Sequence, residues 1–261
     1  MIILHRQRVI FLKPHKVAGT SFEIALSKYA QAGDVITPIT SQDEDTRKLL
    51  GYPGPQNHMK SLGDFLRRPK VKDIKRWLRG KRLYNFINHV PAAEVKRLVG
   101  KEVWNSYLKV SIVRNPWDRI VSQYFWEKKR TDSKSKAIPQ TFGEWCARDK
   151  RDFDTNNSLY MIGGEVVVDH FIRYEHLEED IRALETRLPA LAGLYEVFAA
   201  ISAKGGLRPR SATSADEMFS GLCEIDAMVR RACRYEIERF GYTRAKALPS
   251  LPVVRDDNSA M

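Results

Sequence analysis

Val9-Ile10-Phe11-Leu12-Lys13-Pro14-His15-Lys16-Val17-Ala18-Gly19-Thr20-Ser21 reads as a strand, a tight turn and the opening of a helix. The first four residues form a β-branched and aromatic run of the length a buried parallel strand needs. After the turn, Phe22, Ala25, Leu26 and Tyr29 fall at i, i+3, i+4 and i+7, which predicts a helix over about 19–31 with one apolar face. The turn therefore sits at a helix N-terminus, where unpaired amides and the macrodipole favour an anion. Val17, Ala18, Gly19, Thr20 and Ser21 supply backbone N–H groups, Gly19 allows close approach, and Thr20 and Ser21 add hydroxyls. Lys16 adds a point charge. This is chemistry for holding a phosphate.

The phosphate loop of ATP and GTP enzymes, GxxxxGK[ST], does not fit, because Lys16 precedes Gly19 and the first glycine is missing. The dinucleotide fingerprint GxGxxG is absent as well. A second element lies in the middle of the chain. Val110 to Val113 is another apolar strand, followed by Arg114-Asn115-Pro116-Trp117-Asp118-Arg119-Ile120-Val121-Ser122. Asn115 suits an N-cap, Pro116 the first helical position, and Asp118 can complete a capping box with Asn115. Trp117, Ile120, Val121, Tyr124 and Phe125 make an apolar stripe over a helix at about 116–129. Arg114 offers a fork of donors to a phosphate and Ser122 a short hydroxyl; surface ion pairs and a solvated serine are the plain alternative.

The first element resembles the 5′-phosphosulfate loop of sulfotransferases, roughly Pro-Lys-x-x-Gly/Ser-Thr-Ser/Thr after the first strand. Lys16, Gly19, Thr20 and Ser21 match it, and His15 stands where the family usually has proline. The second fills every slot of the family's 3′-phosphate motif, Arg-[Asp/Asn]-Pro-x-[Asp/Glu]-Arg-x-x-Ser, whose binding residues correspond to Arg114 and Ser122. His89-Val90-Pro91-Ala92-Ala93-Glu94, Val103-Trp104 and Phe171 to Asp180 look like the carbohydrate branch, family 2. Tyr235 to Tyr242 is similar to the usual closing helix. The similarity spans roughly residues 8–242.

What the resemblance implies is a sulfotransferase using 3′-phosphoadenosine 5′-phosphosulfate (PAPS) as co-substrate, with no metal and a glycan or glycolipid hydroxyl as acceptor. Its fold would be a single α/β domain, a central parallel sheet flanked by helices, P-loop-like. Lys16 is then the catalytic lysine, acting on the leaving phosphate. His89 is the expected catalytic base, with Glu23, His15 and His58 as competitors. Arg208, in the glycine- and cation-rich stretch Lys204 to Arg210, falls where the family has a basic loop near the nucleotide. A P-loop-like kinase or nucleotide hydrolase, or a non-catalytic anion-surface binding protein of the same fold, are the alternatives.

At 261 residues, 43% apolar and 29% charged, the chain has the composition of one globular domain. We expect that domain over 1–247, with insertions at about 33–80 and 127–160 that carry no motif, and a tail over 248–261. No apolar run reaches membrane-spanning length and the N-terminus lacks a long apolar region, so the expected setting is cytoplasmic. Three cysteines make an odd count without metal spacing; Cys223 and Cys233 are expected in the core of one C-terminal helix over 215–239, and reduced thiols fit. The net charge of +12 is partly local: Arg67 to Arg82 holds nine basic residues against Asp73 alone. Ile74, Trp77 and Leu78 lie at i, i+3 and i+4 there, a basic amphipathic helix able to meet an anionic membrane surface, peripheral to the inner face. A solvated surface helix is the plain alternative, and no nucleic-acid signature accompanies the charge.

Overall fold

Period-two alternation builds the sheet, as Val9 and Phe11 join the core on one face while Ile10 and Leu12 join that on the other. A computed structural model describes residues 1–61, 63, 65, 71–131, 141–148, 153–201 and 214–244. The central strands are β1 (Ile2–Leu4), β2 (Val9–Phe11), β3 (Val35–Ile36) and β4 (Leu108–Val113). A small hairpin of β5 (Met161–Ile162) and β6 (Glu165–Val166) precedes β7 (His170–Arg173). The main sheet runs β3-β1-β2-β4-β7.

β2, β4 and β7 are parallel, with Val9 opposite Leu108 and Val110 opposite His170. β1 is antiparallel to both neighbours, pairing Ile2 with Phe11 and with Ile36. The sheet is therefore mixed, which corrects the expectation of a purely parallel one. The cause is local: the polar turn His5-Arg6-Gln7-Arg8 folds Met1–Leu4 back as a hairpin strand, with Arg8 at φ 56 and its N–H on His5 O.

Helix α1 (Gly19–Ser27) follows β2 and ends earlier than its periodicity predicts, as Lys28, Tyr29 and Ala30 make tighter i→i−3 bonds. The motif-free insertion holds β3 and α2 (Ser41–Leu49), then α3 (Val71–Trp77). α4 (Ala92–Ser106) is interrupted by a non-helical Gly100 at φ 83. α5 (Pro116–Thr131), α6 (Phe142–Ala147) and α7 (Asn157–Tyr160) follow β4. After β7 come α8 (Leu177–Arg187) and α9 (Leu194–Ala200). The expected single helix over 215–239 is three: α10 (Ala215–Met218), α11 (Cys223–Ala232) and α12 (Arg234–Phe240). Gly221 at φ 74 and a non-helical Cys233 interrupt it. Cys223 is exposed, against expectation, while Cys146 and Cys233 are buried.

α1, α8 and α9 cover one face of the sheet and α4 the other. A further core gathers α5, α6 and α10 to α12 around Trp117 and Trp145. Segments 132–140 and 202–213, with Arg208, and the tail beyond 244 lie outside the described residues. No described helix is long and apolar enough to cross a membrane.

Candidate active site

Because β2, β4 and β7 run parallel, the loops leaving them meet at one edge of the sheet. The first loop separates two lysines. Lys13 turns inward, 3% exposed, and its Nζ donates to Glu23 Oε2 at 2.8 Å. Glu23 is fully buried on α1; it also accepts from the Met1 amine at 2.6 Å and from Thr37 at 3.1 Å, with Arg47 at 3.7 Å. Burial opposes the Glu23 charge, but Lys13 and the amine outweigh it and hold the carboxyl below its ordinary range. Burial likewise pulls Lys13 downward. Glu23 is thus fixed in an ion cluster and is removed as a candidate base. Gly19 gains a second reason: a Cβ there would meet Lys13 Cγ at 3.0 Å, so the glycine makes room for the buried stem.

Lys16 is only half-buried, and its Nζ rests over the Trp126 ring at 4.8 Å. Lys16 and Ala18 both adopt left-handed backbone, φ 61 and 60, the alternation that turns successive N–H groups into one concavity. The first bond of α1 is Phe22 N–H to Ala18 O, so the amides of Gly19, Thr20 and Ser21 precede the helical ladder. Asn156 clamps the loop from outside, accepting from His15 N–H at 2.8 Å and donating to His15 O at 3.2 Å.

The second loop brings Arg114 to the first. Its Nη1 donates to the Lys16 carbonyl at 3.2 Å, and its guanidinium lies over Tyr174, just beyond β7, at 4.2 Å. Arg114 is 7% exposed, yet its Nε meets no hydrogen-bond partner among the described residues. A buried guanidinium with an unmet donor is a place for an anionic oxygen. Asn115 caps α5 by accepting from Trp117 N–H at 3.2 Å. Its own N–H goes to Glu175 at 2.7 Å, so Asp118 does not close the expected capping box. Arg119 is buried and donates to Phe153 O at 2.7 Å, a structural tie. Ser122 sits half-buried on α5.

His89 reaches the same edge. Its Nδ1 lies 2.9 Å from Lys13 O, and its ring stacks on His15 with centroids 3.7 Å apart. A carbonyl only accepts, so Nδ1 carries the proton and Nε2 the lone pair. Burial, then His15, lower the His89 pKa to about 3. His15 is lowered too, mainly by burial. His58 lies elsewhere, stacked on Tyr84. Between the ordinary imidazole value and pH 3 the unfolded chain binds a proton at position 89 that the folded chain does not. Stability from this group is therefore complete above about pH 6.5 and is lost as pH falls. We expect melting temperature to drop from pH 7.5 to 5. His89→Asn, which keeps a donor for Lys13 O, should flatten that slope by up to about 1.4 kcal/mol per pH unit. An unchanged slope in melts of the variant would contradict the assignment.

Three strand ends thus converge on Lys16, the amides of 17–21, Arg114 and His89. The family model described as "Sulfotransferase family" matches residues 1–192. The chain belongs to the sulfotransferase family. The match includes both anion elements and His89, and its family assignment supports sulfuryl transfer as the general activity. An uncharacterized protein of Archaeoglobus fulgidus is 29% identical over 92 residues, 35% of this chain and 76% of the relative. No solved structure matches the chain. Trp126, Asn156, Tyr174 and Glu175 support the site without having been singled out from sequence. An aromatic directly after a strand whose neighbour ends in arginine is the signal that could have found Tyr174.

Proposed function

We propose that this chain moves a sulfuryl group from PAPS to a hydroxyl of a carbohydrate or glycolipid acceptor. The observation that carries this reading is the Arg114–Lys16 bond, which joins the two anion elements into one site. The unmet Arg114 Nε and the amides ahead of α1 fit a nucleotide with phosphates at both ends. Bound there, the donor supplies a sulfuryl group activated by its anhydride bond to phosphate. Val17 to Ser21 hold the 5′-phosphate; Arg114 and Ser122 hold the 3′-phosphate. Lys16 leaves the Trp126 face to meet charge growing on the departing phosphate. His89 Nε2 takes the acceptor proton as that oxygen bonds to sulfur and its O–H becomes acidic. Its low pKa keeps the ring neutral at physiological pH and makes it a weak base, so the proton moves only as the bond to sulfur forms. The acceptor class is supported by the likeness of His89 to Glu94 and Phe171 to Asp180 to the carbohydrate branch.

Thermal melts test the donor. Adenosine 3′,5′-bisphosphate at about 100 times its Kd should stabilise the protein by about 2.7 kcal/mol, and ATP with Mg²⁺ should not. Arg114→Met should weaken the bisphosphate about 100-fold with a much smaller loss of unliganded stability, because the variant gives up the bond to Lys16 O and the stack on Tyr174 but also discards a buried, unmet donor. Stabilisation by ATP with Mg²⁺ alone would point to phosphoryl chemistry instead. Labelled sulfate transfer to extracted cell-envelope glycans tests the acceptor.

A further inference from the structure

Exposed apolar side chains are concentrated in one stretch of this molecule. Of ten large ones among the described residues, nine lie between Leu49 and Ile87, where a scattered distribution needs no explanation but a cluster does. Its centre is α3 and the turn after it: Val71 is 70% exposed, Ile74 39%, Trp77 55% and Leu78 72%. Leu78 N–H bonds to Ile74 O, so the helical spiral continues through it. At 3.6 residues per turn, Val71, Ile74 and Leu78 share an arc of about 60°. Trp77 borders it on one side and Lys75 and Arg79 on the other. Lys75, Arg79, Lys81 and Arg82 are all exposed.

The mount is firm. Met59 pairs with Tyr84, Lys60 N–H bonds to Leu83 O at 3.0 Å, and Asn85 N–H to His58 O at 3.0 Å. The chain on either side of α3 is thereby pinned together, and Trp77 leans on Phe65 with centroids 5.9 Å apart. α3 lies between these two pinned stretches. A polyanion would satisfy the cations and leave the apolar arc in water. A bilayer with acidic headgroups takes both, with the apolar arc entering the headgroup boundary and the cations meeting phosphate.

We propose that α3 and the cations that follow it dock this protein on the surface of an anionic lipid bilayer. The proposal stands apart from the reaction, and its test does not use activity. The full chain is sedimented with vesicles of phosphatidylcholine, alone or with about a third phosphatidylglycerol. Partition onto the acidic vesicles should exceed that onto neutral ones by about 10-fold or more and fall with salt. Trp77→Ser with Leu78→Ser, and separately Lys75→Glu with Arg79→Glu, should each lower partition by about 10-fold or more, the charge pair with unchanged melting temperature and the serine pair with only a small drop as Trp77 leaves Phe65. Equal partition onto both vesicle types, or none, overturns the proposal. So does acidic-vesicle binding that survives Trp77→Ser with Leu78→Ser, which would make the face a reader of polyanions.

Discussion

Lys16→Ala should lower kcat by about 10²- to 10³-fold while the protein still binds adenosine 3′,5′-bisphosphate. The two lysines of the loop have different tasks. Lys13 is buried against Glu23 and cannot reach a ligand without breaking that pair. Lys16 is half-buried, rests on Trp126, and is the cation beside the amides. In the proposed mechanism the amides hold the phosphate in the ground state, so ground-state affinity should survive the loss of the side chain. Charge on the leaving phosphate grows only in the transition state, so the loss appears in kcat more than in KM. Truncation at a half-exposed position leaves the core intact, and the left-handed φ of 61 is no worse for alanine than for lysine. Single-turnover rates with bisphosphate binding in parallel check this. Near-normal turnover would remove Lys16 from the role, and loss of binding would make it an anchor for the nucleotide.

Glu23→Gln should destabilise the protein by about 3–5 kcal/mol, or roughly 10 °C in melting temperature. The substitution leaves Lys13 buried without its counter-charge, and removing one partner of a buried pair costs far more than the pair contributes. Lys13→Met should cost less, because Glu23 keeps Thr37 at 3.1 Å and Arg47 at 3.7 Å. The order of the two variants in urea midpoints is the check. The reverse order would mean that the carboxylate, not the lysine, is the stranded group. Because Lys13 O also holds His89, Glu23→Gln should disturb the proposed base as well as the fold.

The strand, turn and helix at 9–27 were legible because apolar runs and the i, i+3, i+4 pattern are local signals, and the same holds for β4 and α5. Arg114's place just after a strand was legible from the apolar run before it, while its phosphate role rests on the resemblance. β1 was not, since three residues carry too little pattern and their partner strand lies beyond a turn. α2 was hidden because its sequence, SQDEDTRKL, has no apolar stripe; it buries Asp43 and Arg47 instead. Glu23 looked like a base because a carboxylate beside a phosphate loop has the right chemistry. Its partners Thr37 and Arg47 come from an insertion without a motif, and only the fold brings them within reach. The stack of Arg114 on Tyr174 joins residues 60 positions apart in the chain, and no periodicity reports such a contact.

The left-handed backbone at Lys16 and Ala18, clamped by Asn156, means that the proposed nucleotide socket is cast when the chain folds. About 1–3 kcal/mol of strain per residue is carried by the surrounding core before any ligand arrives. Arrival then needs little ordering, so on-rates for different adenine nucleotides should be alike and set by electrostatic guidance. Selectivity would reside in how quickly each one escapes.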